Sequence, residues 1–516
     1  MVLDPGHNPT YFYPITMTTP AFLLGIDVGR TGLGIVVLDG NGAVAASSRR
    51  AFGQATGEPI DPQEWWRAAR TGIKELLRKG GLDANQIRAV GVSGDSQAFA
   101  ACDKDGKSLC ATVLGSDPRA EETAAEVARL IGPRNLANIS GGGASAASTA
   151  VKLAWLKANE KRVWHDLGWI LPAKDFLRFR LTGVAATDAC DASSTLLFNP
   201  KTRAWSKQVA QTLGIDVAWL PPVVAATAMT GRITDAAAKE CGLAAGTPVI
   251  GGAGHAAAVA VAAGAMAVGT AVVELGAVGA VLVATGEANR DLSGRLRLSC
   301  HIAPGRSAHE AIGIAGAEGL DWLMETVLAS EAAQARRNQR DPQEVLAELA
   351  SEVAPGAEGC LYVPSGRGPG GFLGLRPGIG RGHLVRAAYE GGALAAREVL
   401  DAVAAGGTPI DRVIAAGTGA SGNLWPQILA DVLDRAVDVA PVAEAAAAGV
   451  AILAAPAVGV HKTLEIAVQA MVRRHGPLQP RKSAAAGYTA LIQRHRRIVG
   501  GIAGDLPAAE AAEPAS

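Results

Sequence analysis

The sequence predicts an α/β chain of two similar domains facing a central cleft, and three observations carry that expectation. At 516 residues the chain is too long for a single hydrophobic core. Its first folded stretch reads as strands, one helix and a further strand, and its second half restarts the same grammar. Nearly half of the residues are apolar (49%) and only 19% are charged, the balance of an ordinary globular protein rather than a disordered one.

In chain order, Phe22–Asp27 and Leu33–Asp39 read as short apolar strands parted by the turn Gly29 to Gly32. Gly40-Asn41-Gly42 then turns the chain into a third strand, Ala43–Ser48. A helix follows, with Asp61 as its cap and Pro62 in its first turn. Trp66, Ala69, Ile73, Leu76 and Leu77 recur along it at helical spacing, and Gly80-Gly81 stops it. Ile87–Ser93 is the next strand. Three meandering strands, a helix and a further strand are the opening of a ribonuclease-H-like domain.

In the second half, Thr270–Glu274 and Gly279–Ala284 read as strands paired across Leu275-Gly276-Ala277-Val278. Arg412–Ala416 is a strand that runs into a glycine-rich turn and a helix beginning near Asn423, and Glu444–Leu453 is a further short helix. No fixed short period recurs, which excludes a solenoid. Two α/β halves facing a cleft offer the usual place for a small ligand. The division falls near Gly264. The expected organisation is a flexible extension over 1–20 (with Met17 a candidate start), domains over 21–264 and 265–500, and a disordered Ala/Glu/Pro-rich tail over 501–516.

Composition removes several classes of function. Lys plus Arg equals Asp plus Glu, 48 each, with no basic stripe, so nucleic acid is not an expected partner. The apolar run Ala256–Ala280 is broken by Gly264, Gly269, Glu274 and Gly276, which argues against a membrane span. The first sixteen residues lack the charged and apolar regions of a signal peptide. Cys102, Cys110, Cys190, Cys241, Cys300 and Cys360 form neither a C-x-x-C pair nor a zinc-spaced cluster, so they are expected as buried free thiols in a reducing cytoplasm.

Several segments together carry a family likeness. Gly370-Gly371-Phe372-Leu373-Gly374-Leu375, seven residues, and then His383-Leu384-Val385-Arg386-Ala387-Ala388-Tyr389-Glu390 form one of them. Thr149 to Asn159, with Lys152 and Trp155, forms a second, and Leu171-Pro172-Ala173-Lys174-Asp175-Phe176-Leu177-Arg178 with Leu181-Thr182-Gly183, Thr187-Asp188 and Asp191-Ala192-Ser193 a third. From Phe22 to Ala470 the chain resembles the FGGY carbohydrate kinases, the xylulokinase branch most closely. The resemblance implies an actin-like ATPase fold built from two ribonuclease-H-like domains, the first binding sugar and the second nucleotide. It implies ATP and Mg²⁺ as cofactors and phosphoryl transfer to a sugar hydroxyl. The partners expected are a small-molecule sugar and ATP, with a homodimer as the assembly considered.

The resemblance assigns roles residue by residue. In Asp27-Val28-Gly29-Arg30-Thr31-Gly32, backbone N–H groups of Gly29, Arg30 and Thr31 would meet phosphate, and Asp27 would hold Mg²⁺ directly or through water. Arg30 replaces the family's Thr and either clamps a phosphate or blocks it. The second phosphate turn, at Gly276, carries Ala277 and Val278 where hydroxyl residues are usual. Gly417, Thr418 and Gly419, with Asn423 opening the next helix, would face adenosine. On the sugar side Asp95 and Gln97 occupy the substrate wall, Gln97 at a family His position. Asp117 and Arg119 are read either as substrate contacts or as a mutual ion pair.

The largest departure is His255, in Gly251-Gly252-Ala253-Gly254-His255, where the family has the Asp that serves as general base. An imidazole can accept a proton but is a poor Mg²⁺ ligand. Three readings follow: His255 is the base, it fills vacated space, or Asp95 is the base from the opposite wall; the expectation here is His255 at the reacting hydroxyl, with Asp27 as the other catalytic residue. The leading expectation is ATP-dependent phosphorylation of a xylulose-like ketose or polyol. Its rival is a catalytically impaired relative that binds sugar and nucleotide as a regulatory protein.

Overall fold

The computed structural model describes residues 21–505, apart from residue 31 and segments 54–57, 113–114, 116, 277–278, 287–295, 314–316, 365–369 and 443. The expected extension over 1–20 and the tail from 506 lie outside the described residues.

The N-terminal lobe opens as read. Strands β1 (Phe22–Val28), β2 (Gly32–Leu38) and β3 (Val44–Ala51) form an antiparallel meander. Helix α1 (Pro62–Gly80) then returns the chain to β4 (Ile87–Gly94), which lies parallel to β1. The Asp61 carboxylate accepts the N–H of Gln63 at 2.9 Å, and Gly81 closes the helix in the left-handed region at φ 61°. The apolar stripe of α1 (Trp65, Trp66, Ala69, Ile73, Leu76) packs on the sheet with Ile26, Ile35 and Val90.

Beyond β4 the chain builds a helical region that includes α2 (Thr149–Asn159) and α3 (Ala173–Thr182). Part of it has its own core around Leu136, Val151, Leu153 and Leu197, a separate cluster that periodicity alone did not mark off. Strands β5 (Met229–Arg232) and β6 (Pro248–Ile250) then complete the first sheet in the order β5-β6-β4-β1-β2-β3. The short β7 (Ala253–Gly254) runs parallel to the end of β4.

Helix α4 (His255–Ala263) leads to the second sheet. There β8 (Thr270–Glu274), β9 (Ala280–Thr285), β10 (Arg297–Cys300) and β11 (Ser307–Ile312) precede helix α5 (Arg381–Ala405) and β12 (Arg412–Ala416). Helix α6 (Leu424–Leu433), β13 (Val437–Ala440), α7 (Ala445–Ala454), β14 (His475–Leu478) and α8 (Lys482–Asp505) complete the lobe. The sheet order is β10-β11-β9-β8-β12-β13-β14, with β8 antiparallel to β9 and parallel to β12, as β1 is to β2 and β4. The repeated ribonuclease-H-like grammar is thus present in both halves. Helix α8 runs to Asp505, past the expected limit at 500, because extending a formed helix needs only one residue fixed per added hydrogen bond.

The lobes meet through helices made of small residues. Every residue of α7 is buried, and a shared cluster joins Leu23 and Ala89 of the first sheet to Val272 and Ile414 of the second through α4 and α7. A Cβ placed on Gly25 would stand 1.8 Å from the Ala447 carbonyl oxygen, and one on Gly449 1.9 Å from that of Ala258. Only glycine permits this approach, so Gly25→Ala would force the first sheet off α7. Helix α7 therefore belongs to the N-terminal sheet's packing as much as to its own.

Cys102, Cys190, Cys241, Cys300 and Cys360 are buried free thiols, as expected, and Cys110 is half-buried. Among the described residues no helix is long and apolar enough to cross a membrane.

Candidate active site

The turns and strand ends converge at the mouth between the two sheets. Asp27 ends β1, His255 opens α4, and Glu274 ends β8 in the opposite lobe. His255 spans the gap between them. Its Nδ1 lies 3.1 and 3.0 Å from the two carboxylate oxygens of Asp27, and its Nε2 lies 2.9 Å from Oε1 of Glu274. Both ring nitrogens thus face carboxylate oxygens, an arrangement that a doubly protonated, cationic ring satisfies at both ends. Burial opposes that charge, but the Asp27 and Glu274 carboxylates overcome it and hold His255 well above the usual imidazole range. Burial likewise pushes Asp27 up, yet the His255 charge and the hydrogen bonds from His255 and Ser93 leave it below its ordinary value.

Two small cavities of about 50 and about 100 Å³ flank this bridge. The first is lined by Arg30, Asp95, Ser96, His255 and Glu274. Oδ1 of Asp95 accepts the N–H of Gln97 at 3.1 Å, whereas its buried Oδ2 has no hydrogen-bond partner and lies 3.7 Å from Nε of Arg30. Arg30 also donates to Oε1 of Gln97 at 3.4 Å, and it lines both cavities. Lys152 is buried behind the wall and donates to the carbonyl oxygens of Gln97, at 3.0 Å, and of Gly115. Burial pulls its ammonium down to about 8 despite Asp95 and Asp117.

Asp117 and Arg119 face each other. Nε and Nη2 of Arg119 donate to the two carboxylate oxygens of Asp117 at 3.0 and 2.8 Å, and the guanidinium lies 4.5 Å from the centroid of the Trp155 ring. Burial works against the Asp117 charge, but the Arg119 hydrogen bonds hold it below its ordinary value. The mutual ion pair is what the geometry contains; neither side chain lines the two cavities.

The second cavity gathers Asp27, Gly29, Arg49, Glu274, Gly276, Gly417, Thr418 and Glu444. Gly29 closes the first turn by donating to the Gly32 carbonyl at 2.9 Å. Gly417 leaves β12 at φ 87°, and a Cβ there would stand 2.9 Å from the Leu275 carbonyl oxygen. Gly419 donates to that same oxygen at 2.7 Å, which brings the turn after β8 against the turn after β12. Asn423 precedes α6 from an exposed position outside the lining and makes no side-chain capping hydrogen bond. Thr31, Ala277 and Val278 lie outside the described residues.

Three participants were not anticipated. Glu274 entered the sequence reading as a strand end and a break in an apolar run, Glu444 as the start of a helix and Arg49 not at all; Arg49 and Glu444 pair at 3.1 Å at the cavity. Beneath the site, Lys174 stands 2.7, 3.0 and 3.4 Å from carboxylate oxygens of Asp175, Asp188 and Asp191. Burial pushes Asp191 up to about 7 even though Lys174 pulls the other way.

The donor set does not fit the Mg²⁺ that the resemblance implies for Asp27. A hard cation needs free carboxylate oxygen, but both oxygens of Asp27 face the imidazolium and Oδ1 also accepts from Ser93 at 2.8 Å. A divalent ion approaching Asp27 would meet a positive charge already seated there. Among the described residues no three His, Cys, Asp or Glu side chains are arranged to hold a metal ion.

Comparison with known proteins agrees with this architecture. Residues 22–262 match the model of the FGGY carbohydrate kinases' N-terminal domain, and residues 299–458 that of their C-terminal domain. The xylulose kinase of Staphylococcus epidermidis (strain ATCC 12228 / FDA PCI 1200) is 28% identical over 473 residues, covering 89% of this chain and 92% of that protein. The autoinducer-2 kinase of Yersinia enterocolitica is 28% identical over 497 residues, covering 92% and 93%. The crystal structure of xylulose kinase from Rhodospirillum rubrum superposes with a TM-score of 0.79 at 28% identity, covering 93% of this chain and 99% of that one.

Proposed function

Since the chain belongs to the FGGY family of carbohydrate kinases, we propose that it transfers the terminal phosphoryl group of ATP to a hydroxyl of a xylulose-like ketose or polyol, with Asp95 as the base. Residues 21–264 form the sugar-binding domain in this reading and residues 265–500 the nucleotide-binding domain. The sugar oxygen forms the new bond to phosphorus as its proton passes to the Asp95 carboxylate, and the bond from phosphorus to the ADP oxygen breaks. ADP leaves with that electron pair. Arg30, beside Asp95, meets the charge that spreads over the transferring group.

The observation that carries this assignment is the unbonded Oδ2 of Asp95 at the cavity, set against a His255 whose two nitrogens are both taken. A protonated ring has no lone pair with which to accept a proton. The test is an ATP-consumption screen over ketoses, aldoses and polyols with Mg²⁺ present, followed by variants. Asp95→Asn should cost about 10²- to 10⁴-fold in kcat, the usual worth of a positioned base. An active enzyme indifferent to Asp95→Asn but silenced by His255→Ala would reverse the assignment.

A second reading, a binding protein without turnover, is favoured by the bridge itself. His255 ties Asp27 of one lobe to Glu274 of the other, and the cavities it leaves are well below the roughly 300–1,000 Å³ of ordinary ligand pockets. Calorimetric binding of ATP and a sugar, with no phosphorylated product across the screen, would select it.

A further inference from the structure

The sugar wall is held from behind by one helix face. Lys152 and Trp155 lie three residues apart on α2 and so share a face. The Trp155 ring backs the Arg119 guanidinium that pairs with Asp117. The Lys152 ammonium reaches between two loops, where Nζ donates to the Gln97 carbonyl oxygen at 3.0 Å and to that of Gly115. Asp95 Oδ1 accepts the Gln97 N–H at 3.1 Å, so a hold on Gln97 is also a hold on Asp95. Gly115 stands at φ 75°, and a Cβ there would lie 2.9 Å from Cζ of Arg30, so the Arg30 guanidinium has its seat on this glycine. Three side chains of the wall thus depend on where one ammonium holds two carbonyls. Much at the position disfavours that charge: Lys152 is buried, it stands near the positive end of α2, and Arg30 and Arg119 are close by. An apolar side chain of similar length would pack α2 without that cost, but it could not join the two loops.

We propose that Lys152 is the positioning residue of the sugar site: by holding the Gln97 and Gly115 carbonyl oxygens together it sets the spacing of Asp95, Gln97 and Arg30, so that its loss weakens sugar binding and spares nucleotide. The inference rests on the reading of the first cavity as the sugar site. It concerns a residue that lines neither cavity, and it holds whether the bound sugar is phosphorylated or only retained.

The experiment is isothermal titration of the full-length protein and of Lys152→Met, which keeps an unbranched stem and removes the charge. Each is titrated with xylulose and a panel of aldoses and polyols, and separately with ADP and Mg²⁺. The sugar Kd should rise about 10- to 100-fold in the variant, the usual worth of one or two hydrogen bonds from a charged group. The ADP Kd should stay within about threefold of the wild-type value. Destabilisation alone would lower the number of binding sites without moving either Kd. An unchanged sugar Kd overturns the inference while leaving the sugar site standing, and equal weakening of sugar and ADP overturns it by making Lys152 a support of the whole lobe. A wild-type protein that binds no sugar overturns the sugar-site reading and this inference with it. Where the variant does not fold, the wild-type protein decides. Lys152 faces Asp95 and Asp117 as well as Arg30 and Arg119, and burial brings its ammonium down to about 8. Its charge is therefore present at pH 7 and lost as pH rises, and the sugar Kd should rise at least about threefold from pH 7 to 9.5. A sugar Kd that is flat over that range overturns the inference.

Discussion

Lys174 and His255 are two cations set among carboxylates a short distance apart, and they do different work. Lys174 is fully buried, and its three carboxylate partners, Asp175, Asp188 and Asp191, all belong to the N-terminal lobe. His255 keeps 30% of its side chain exposed, and its two partners belong to different lobes. Both are held charged against burial by the carboxylates around them. The first arrangement is shut off from solvent, so it fixes the strand end and the short helix that carry Asp188 and Asp191. The second lies across a cleft, where parting the lobes breaks it and a ligand can compete for it. Position relative to the lobe boundary, more than residue type, separates scaffold from device.

The largest effect should come from the scaffold. Lys174→Met leaves buried Asp188 and Asp191 without their cation, while Asp175 keeps Arg178 at 2.9 Å, and should lower stability by about 3–5 kcal/mol, read from urea denaturation. A loss below about 1 kcal/mol would mean that the cluster is solvated or already neutral, and the contrast with His255 would collapse.

The same contrast explains what could be read from the sequence. Apolar runs, the Asp61 cap and the glycine turns are local signals, and they located β1, β2, β4, α1, β8 and β12 to within a residue or two and the end of β3 to within three. Asp27, Gly29, His255, Gly276 and Gly417 were likewise placed at one cavity, because each follows a strand that points to the cleft. What escaped was pairing at a distance. Asp27 finds His255 and Glu274 only after both sheets form, and Arg30 finds Asp95 only once the β4 loop folds over it. One signal for Glu274 was present: a carboxylate ending the apolar strand Thr270-Ala271-Val272-Val273 must be buried and therefore partnered.

His301 sharpens the comparison from the other side. It is buried with backbone partners only: its Nε2 donates to the Ala265 carbonyl at 3.2 Å, and its Nδ1 accepts from the N–H of Ala303 at 3.0 Å. Without a carboxylate, burial pulls it down to about 4. Its folded value lies below the unfolded value of 6.5, so its stabilising share is present above pH 6.5 and is lost as pH falls towards 4. Roughly 3 kcal/mol should disappear across that window, and His301→Gln should flatten it. A melting temperature equally acid-sensitive in both proteins would show that other groups govern acid stability.

A smaller effect is expected at the bridge. His255→Asp gathers three carboxylates with no cation and should cost roughly 1–2 kcal/mol, discounted for the partial exposure of the site. Millimolar Mg²⁺ should restore that loss and raise the melting temperature, whereas the wild-type protein should be indifferent to the metal. Equal responses would mean that the cation at this position is not His255's to supply.

The account turns on His255 being a charged bridge and not a base. The direct measurement is the ¹H–¹³C resonance of its imidazole Cε1, assigned by its loss in His255→Gln and followed by NMR from pH 5 to 9. Because the folded pKa is raised, the bridge should hold below the unfolded value and through neutrality, and it should be lost only as pH climbs through the folded value. The resonance should accordingly stay at its protonated position well above pH 6.5. A midpoint near the unperturbed value of about 6.5 would mean a free imidazole at working pH, and would return His255 to the part of general base.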